Sequence, residues 1–159
     1  MDDKQWNAIL ECHLTAPFKI LRAAQPHIKR LFLEDKENGI TNFRKVVNIS
    51  STSGMFGNAG QINYATAKAG VVGMAKTMAK EWGRYNVNVN AVGFGLIKTR
   101  LTDADAEKEE SLINIEGNKI KVGVNSAVFQ SAKTMIPLGR PGTPQEAAGA
   151  IYILSLIHI

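Results

Sequence analysis

The stretch from Val46 to Gly70 constrains the fold of this chain more than any other part of its sequence. It opens within a short apolar run, Lys45–Ile49, passes through a turn region rich in Gly, Ser and Asn, and ends in a segment with helical character. An apolar run of this length is typical of a strand that is buried on both faces in a parallel sheet. The stretch therefore predicts a strand, a turn and a helix of an α/β domain.

Two side chains with chemical potential, Tyr64 and Lys68, lie four residues apart on the predicted helix. Residues at this spacing share one helix face, so the phenol and the ammonium can point into one site. A free tyrosine has a pKa of about 10, and a neighbouring cation lowers that pKa by favouring the phenolate. Tyr64 is therefore suited to proton transfer. Ser51, expected just past the end of the strand, can polarise a substrate carbonyl.

A Tyr and a Lys at helical spacing are more often ordinary surface residues, so their context carries the argument. The preceding strand, Ser51 and the glycine-rich turn favour a site over a surface pair. Further along, Val87–Val92 alternates in character and predicts a second strand, which Gly93–Thr99 follows directly. Ligands of open α/β sheets bind where the strands end, so this segment is a candidate ligand loop.

Three segments of the chain resemble the short-chain dehydrogenase/reductase family: Asn48–Ser51, Asn63–Gly70 and Val87–Thr99. The similarity is strongest to the 3-oxoacyl-acyl-carrier-protein reductase type and runs from about residue 3 to residue 154. It implies a Rossmann-type domain with a doubly wound parallel sheet in a three-layer α/β/α arrangement. It also implies that a nicotinamide cofactor, NADP or alternatively NAD, serves the reduction of a ketone to an alcohol.

The resemblance also implies roles for individual residues. Tyr64 corresponds to the catalytic acid/base of the family and Ser51 to the serine that orients the carbonyl. The cofactor contacts that it implies involve five residues: Tyr64, Lys68, Gly95, Ile97 and Thr99. Lys68 would hold the nicotinamide ribose, Gly95 would allow close approach, and the Ile97 backbone would meet the carboxamide. Thr99 would contact the carboxamide or a phosphate.

His13 is a further candidate catalytic residue, on a helix predicted to begin at Asp2 and Asp3. Pro17 has no N–H to donate to the His13 carbonyl, so a kink there leaves that carbonyl free to bind water. The resembling family usually has an asparagine at this position, and its backbone carbonyl holds a water in the proton relay. A structural hydrogen bond of the His13 side chain is an equally open interpretation.

The later part of the chain predicts a variable region and a last helix. Residues 101–135 correspond to the substrate lid of the family, or to a tolerated surface insertion. Within this region Leu112–Val122 alternates around Glu-Gly-Asn, which indicates a hairpin. Thr143–Glu146 shows the capping-box pattern with Pro144 at the first helical position, so a helix is expected to begin there.

The domain organisation follows from what the resemblance leaves unmatched. The family begins with a strand and a Gly-rich turn that cradles the cofactor pyrophosphate, and no segment of this chain matches that turn. Residues 1–159 are therefore expected to form the C-terminal portion of one Rossmann-type domain. The preference for NADP over NAD rests on similarity alone. In the resembling family this preference depends on residues near the end of a strand that no segment of this chain matches.

Composition limits the partners and the compartment. The formal net charge is +5, but Lys and Arg are scattered, so anionic cofactors and acyl carriers explain it as well as nucleic acid does. The single cysteine, Cys12, excludes an internal disulfide and favours a reducing cytoplasm. No metal-ligand cluster or membrane span is predicted. A homo-oligomer is expected through helices predicted at 2–31 and 61–85.

Four functions remain open on the sequence. The first is NAD(P)-dependent reduction of a 3-oxoacyl or related carbonyl, with a small-molecule or acyl-carrier-bound substrate. The second is a catalytically inactive fragment that at most binds a longer relative. The third is a steroid or sugar-alcohol dehydrogenase of the same family. A nucleic-acid binder is the fourth and least favoured function, because no basic patch with interleaved aromatic residues occurs in the sequence.

Overall fold

The computed structural model describes residues 1–99, 102, 112–115, 118–121 and 134–156. The chain forms two compact units, Met1–Phe94 with Ala150–Ile159, and Gly95–Gly149. Each unit is described by itself. None of the described helices combines the length and the apolar character needed to cross a membrane.

The first unit begins with a long helical segment in three parts. Helix α1 spans Asp3–Leu10 and starts with a reciprocal capping box between the Asp2 and Gln5 side chains and backbones. A π-helical turn, Glu11–Thr15, follows, with the Ala16 N–H donating to the Glu11 carbonyl five residues back. Helix α2 then spans Ala16–Glu37. The irregularity expected before Pro17 is thus a π-turn.

The predicted end of this helical segment at residue 31 is wrong, because α2 continues to Glu37. The last turn of α2 is charged, and charged residues are compatible with an exposed helix face. The helix ends where Asn38 caps it and Gly39 takes a positive φ of 67°. Glycine adopts this conformation without the cost that a Cβ imposes.

The two strands of this unit form a parallel pair. Strand β1 spans Arg44–Ser51 and strand β2 spans Val87–Phe94, with Arg44 opposite Val87 and Ser51 opposite Phe94. Both strands run beyond the predicted bounds, so Ser51 is the last residue of β1 instead of lying just past its end. The parallel register brings the carboxyl ends of both strands to one edge of the pair.

A short helix and a long helix connect β1 to β2. Helix α3 spans Ser53–Phe56, and helix α4 spans Ile62–Trp82, close to the predicted 61–85. A 3₁₀ turn, Gly83–Tyr85, follows α4 and leads into β2 through Asn86, which has a left-handed conformation. The strand–helix–strand order confirms the α/β prediction.

The core of the first unit lies between α4 and one face of the β1–β2 pair. Its buried members are Ala75, Trp82, Val87 and Val89, and Leu21 and Ile28 of α2 pack against them. On the opposite face of β1, Ile49 is 42% exposed. The prediction that this strand is buried on both faces is therefore wrong at Ile49, where no helix among the described residues covers the side chain.

The second unit contains a hairpin and the start of the last helix. Strands β3, Leu112–Ile115, and β4, Asn118–Lys121, pair antiparallel, which confirms the predicted hairpin. Its turn and most of the predicted 101–135 region lie outside the described residues. Helix α5 spans Pro144–Leu156 and begins at the predicted capping box.

Candidate active site

Tyr64 and Lys68 are brought together in the first two turns of α4. The Lys68 Nζ lies 5.6 Å from the centroid of the Tyr64 ring. Tyr64 is partly buried, whereas Lys68 is only 8% exposed, an unusual position for a lysine. The spacing in the sequence therefore corresponds to a real pairing of phenol and ammonium on one helix face.

The buried ammonium of Lys68 is fixed to the end of β1. Its Nζ donates to the Ile49 carbonyl at 2.9 Å, and the Ser50 hydroxyl donates to the Lys68 carbonyl at 2.8 Å. Burial lowers the pKa of Lys68, and the nearby Cys12 opposes this shift by a smaller amount. The two hydrogen bonds tie the second turn of α4 to the strand that ends at Ser51.

Ser51 is held by a short chain of polar contacts in the turn after β1. The Ser53 backbone N–H donates to the Ser51 Oγ at 3.2 Å, and the Ser53 hydroxyl donates to the Gln61 Oε1 at 3.1 Å. The Asn58 Nδ2 donates to the same Gln61 oxygen, also at 3.1 Å. A hydroxyl that accepts a hydrogen bond keeps its own O–H for donation, so Ser51 can still donate to a carbonyl.

Gly54 is a residue of the site that the sequence analysis missed. A Cβ at this position would lie 2.7 Å from the Ala69 nitrogen and 2.8 Å from the Lys68 Cβ. Only glycine therefore allows α3 to lie so close to α4. The available signal was its place in the glycine-rich turn, but the pattern did not distinguish it from Gly57 and Gly60.

His13 also lies at the site. Its ring and the Tyr64 ring are 5.2 Å apart between centroids and nearly perpendicular, at 89°. Burial lowers the pKa of His13, and the positive charge of Lys68 lowers it further. His13, Tyr64 and Lys68 thus form one cluster across the π-turn and α4.

Asn63, which precedes Tyr64, links α4 to α1. Its Nδ2 donates to the Gln5 carbonyl at 3.2 Å, and its Oδ1 accepts from the Tyr64 backbone N–H at 2.8 Å. The residue is buried, with 8% of its surface exposed. Asn63 stood in the motif that carried the resemblance, but its partner in α1 was not evident from the sequence.

The remaining predicted cofactor residues belong to the second unit. Ile97 forms a parallel bridge with Gly142, in which Lys98 N donates to the Gly142 carbonyl and Gly142 N donates to the Leu96 carbonyl. The bridge uses the backbone groups that flank Ile97 and leaves the Ile97 N–H outside it. A Cβ on Gly142 would lie 2.7 Å from the Ile97 Cδ1, so this glycine permits the close approach.

Thr102 holds the end of the same loop, Gly95–Thr99. Its hydroxyl donates to the Ile97 carbonyl at 2.5 Å and accepts from the Thr99 backbone N–H at 2.8 Å. Gly95 is exposed, and Thr99 is partly buried. Neither Thr102 nor Gly142 was expected to contribute. Both residues bind backbone groups of the loop, and such contacts are not evident from side-chain patterns in the sequence.

The match to a family model covers the part of the chain that contains this cluster. The model of the short chain dehydrogenase family matches residues 1–110, which include β1, α4 and β2. The chain belongs to the short chain dehydrogenase family. The parallel β1–β2 pair and its covering helix agree with the Rossmann-type α/β fold of this family.

Curated relatives match nearly the whole chain. The 3-oxoacyl-acyl-carrier-protein reductase FabG of Thermotoga maritima is 35% identical over 98% of this chain and 51% of its own length. The 3-oxoacyl-acyl-carrier-protein reductase of Synechocystis sp. is 35% identical over 96% and 49%. Nodulation protein G of Rhizobium meliloti is 31% identical over 99% and 53%. The chain spans about half the length of these relatives.

Proposed function

We propose that this chain carries the proton-transfer site of an NAD(P)-dependent oxidoreductase that reduces a ketone to an alcohol. The observation that supports the proposal best is the pairing of the Lys68 Nζ with the Tyr64 ring at 5.6 Å. The hydrogen bond to the Ile49 carbonyl fixes the Lys68 ammonium in place and leaves it beside the phenol. The positive charge of this ammonium can stabilise the negative charge that develops on the Tyr64 oxygen as the phenolic proton is transferred.

Tyr64, Lys68 and Ser51 each have a separate task in the proposed reaction. A bound reduced nicotinamide supplies the hydride to the carbonyl carbon. Tyr64 donates its phenolic proton to the carbonyl oxygen, and Lys68 stabilises the phenolate that remains. Ser51 donates a hydrogen bond to the same oxygen and so orients and polarises the carbonyl. In the reverse direction, the Tyr64 phenolate accepts the proton of the alcohol.

The resemblance assigns residues of both units to the nicotinamide end of such a cofactor, and each unit offers groups suited to that task. The Lys68 ammonium has three donors, of which one is used by the Ile49 carbonyl, so two remain for ribose hydroxyls. Tyr64 would share the ribose contact. Exposed Gly95 offers a surface without a side chain, and the Ile97 N–H lies outside its bridge and can serve the carboxamide. Thr99 would contact the carboxamide or a phosphate. NADP is preferred, with NAD as the alternative.

The substrate class is proposed from the names of the relatives. Two of them are 3-oxoacyl-acyl-carrier-protein reductases, so a 3-oxoacyl or related carbonyl compound, free or bound to an acyl carrier, is the first choice. A steroid or sugar-alcohol substrate stays open as the alternative within the family. Residues 101–135 would form the substrate lid. The proposed setting is a cytoplasmic homo-oligomer assembled through α1, α2 and α4.

Substitution of Tyr64 by Phe tests this function directly. The variant removes only the phenolic oxygen, so we expect turnover of a 3-oxoacyl substrate with NADPH to fall by about 10²–10⁴-fold. NADPH affinity should change little. Tyr152→Phe is the matched control, because Tyr152 is an exposed tyrosine of α5 and should keep the parent rate. A Tyr64→Phe rate within threefold of the parent would exclude Tyr64 as the acid.

A second candidate is a catalytically inactive chain that binds a longer relative. The observation that favours it is the coverage of only about half of the relatives. Calorimetric titration of the chain with NADPH separates the two candidates. Micromolar binding with Tyr64-dependent turnover supports the reductase, whereas neither binding nor turnover supports the inactive chain.

A further inference from the structure

We propose that the His13 imidazole is a positioning residue, which holds the Tyr64 ring in its working orientation through the perpendicular ring contact. The inference rests on the proposed role of Tyr64. The two ring centroids are 5.2 Å apart at 89°, within the range in which edge-to-face aromatic pairs attract each other. A ring held at its edge or face cannot turn freely about its side-chain torsions, so the contact restricts where the phenolic oxygen points.

The π-turn brings the His13 ring to this position. In Glu11–Thr15 the Ala16 N–H donates to the Glu11 carbonyl, five residues back. This pattern adds one residue to the helical turn and changes the direction of its side chains. Leu14 of the same turn lies directly against Gly70 of α4, since a Cβ on Gly70 would be 3.0 Å from both Leu14 methyl carbons. Close packing at Gly70 therefore fixes the π-turn against α4.

Tyr64 contacts two side chains, one on its own helix α4 and one on the π-turn. Lys68 of α4 lies 5.6 Å from the ring centroid, and His13 of the π-turn makes the perpendicular contact. The titratable groups that face His13 are Tyr64 and Lys68 from α4, with Cys12 beside it on its own turn. Burial and the positive charge of Lys68 both lower the pKa of His13, so its surroundings disfavour a second positive charge beside the phenol.

The positioning role separates His13 from the asparagine that usually stands here in the resembling family. An asparagine has no ring and cannot make the same contact with Tyr64. If the ring is what matters, a phenylalanine should substitute for His13 better than an asparagine does. A better rate with phenylalanine than with asparagine would distinguish ring packing from a role of a polar side chain. It would also exclude the backbone carbonyl as the cause, because every variant retains that carbonyl.

The experiment compares His13→Phe, His13→Asn and His13→Ala in the 159-residue chain, with His27→Ala as control. His27 is an exposed histidine of α2 and makes none of these contacts. Tyrosine rings are labelled with ¹³C, and the Tyr64 signals are assigned through Tyr64→Phe. In the parent we expect cross-peaks between the His13 and Tyr64 rings and ring-current shifts of the ring that presents its edge. His13→Phe should keep the shifted signals, whereas His13→Asn and His13→Ala should show averaged Tyr64 shifts.

Turnover supplies a second and separable readout. We expect His13→Ala and His13→Asn to lower kcat about tenfold with KM changed less than twofold, and His13→Phe to restore most of kcat. Unchanged Tyr64 signals in His13→Ala, or a His13→Ala kcat equal to that of an active parent, would overturn the proposal. If Tyr64→Phe itself leaves turnover intact, the proposed function fails, and the Tyr64 signals still decide whether His13 orients the ring.

Discussion

Gly54 shows how a single residue without a side chain determines the geometry of the site. It allows helix α3, which closely follows Ser51, to contact the backbone of α4 at Lys68 and Ala69. Asn63 acts at the same scale through hydrogen bonds. Its side chain joins the Gln5 carbonyl of α1 to the Tyr64 backbone N–H of α4. Neither residue takes part in the proposed chemistry, but both fix the distance between groups that do.

Gly54→Ala should destabilise the chain by about 1–3 kcal/mol, because the new methyl group meets backbone atoms that cannot rotate away. Gly73→Ala is the matched control in α4, since a Cβ there meets nothing within 4 Å. It should stabilise the chain by roughly 0.5–1 kcal/mol through the better helix propensity of alanine. Urea unfolding followed by circular dichroism measures both. Equal stability of the two variants would contradict the close approach at Gly54.

Asn63→Ala should cost about 0.5–1.5 kcal/mol, because it removes the part-buried hydrogen bond from Asn63 to the Gln5 carbonyl. Asn58→Ala removes an exposed amide from the turn after β1 and should change stability by less than about 0.5 kcal/mol. Hydrogen exchange of the α1 amides provides a local readout. Faster exchange in Asn63→Ala alone is expected, and similar exchange in both variants would argue against the link.

The start of α5 is an element whose stability depends on one carboxylate. Glu146 accepts from the Thr143 N–H at 2.8 Å and forms an ion pair with Arg140 at 2.6 Å. The Thr143 hydroxyl accepts from the Glu146 N–H at 3.2 Å, which completes the capping box. Hydrogen bonds from Arg140, and then from Thr143, lower the pKa of Glu146 to about 2.

This pKa sets the sign of a pH dependence for α5. A carboxyl with a lowered folded pKa binds fewer protons in the folded state, so its stabilising effect is complete above the unfolded value of about 4.3. The effect is lost as the pH falls through about 2. ¹³C-carboxyl titration should place the Glu146 midpoint near 2, and Arg140→Ala should raise it. Glu146→Gln, which keeps an acceptor for Thr143, should remove the pH dependence. A midpoint near 4.3 in the parent would refute the capping contacts.

At the scale of the whole molecule, the helices of the first unit leave an apolar groove. A cavity of about 560 Å³ lies between α2 and α4. Its apolar and aromatic lining includes Phe18, Met74, Met78, Trp82 and Tyr85. Phe18 is 47% exposed, and Arg22 lies over its ring at 5.3 Å. The groove lies on α2 and α4, two of the three helices through which the homo-oligomer is proposed to assemble.

Phe18→Glu should therefore reduce self-association. The new carboxylate lies four residues before Arg22, so the pair supports the helix while the apolar contact is lost. Light scattering at increasing concentration should show the parent associating and the variant shifted towards the monomer. Thr66→Glu adds the same charge at an exposed position of α4 and should leave association unchanged. A monomeric parent, or equal effects of both variants, would rule out assembly through this groove.

The sequence alone determined the features that depend on neighbouring residues. The strands, the helix that carries Tyr64 and Lys68, the hairpin and the capping box of α5 were all predicted, because each arises from interactions within a few positions along the chain. The family could also be inferred, since its motifs are short and ordered. Element ends were predicted less well, because α2 passes residue 31 and β1 reaches Ser51 through contacts that periodicity does not show.

Only the tertiary structure decided how these elements meet. The contact of His13 with Tyr64, the bond of Asn63 to Gln5 and the bond of Lys68 to Ile49 join residues that are distant in the chain. No local pattern encodes such pairs, because they depend on the angle and distance at which α4 packs against its neighbours. The same reason explains the exposure of Ile49: an apolar run can fill a strand buried on two faces, but the packing of helices decides which faces are covered.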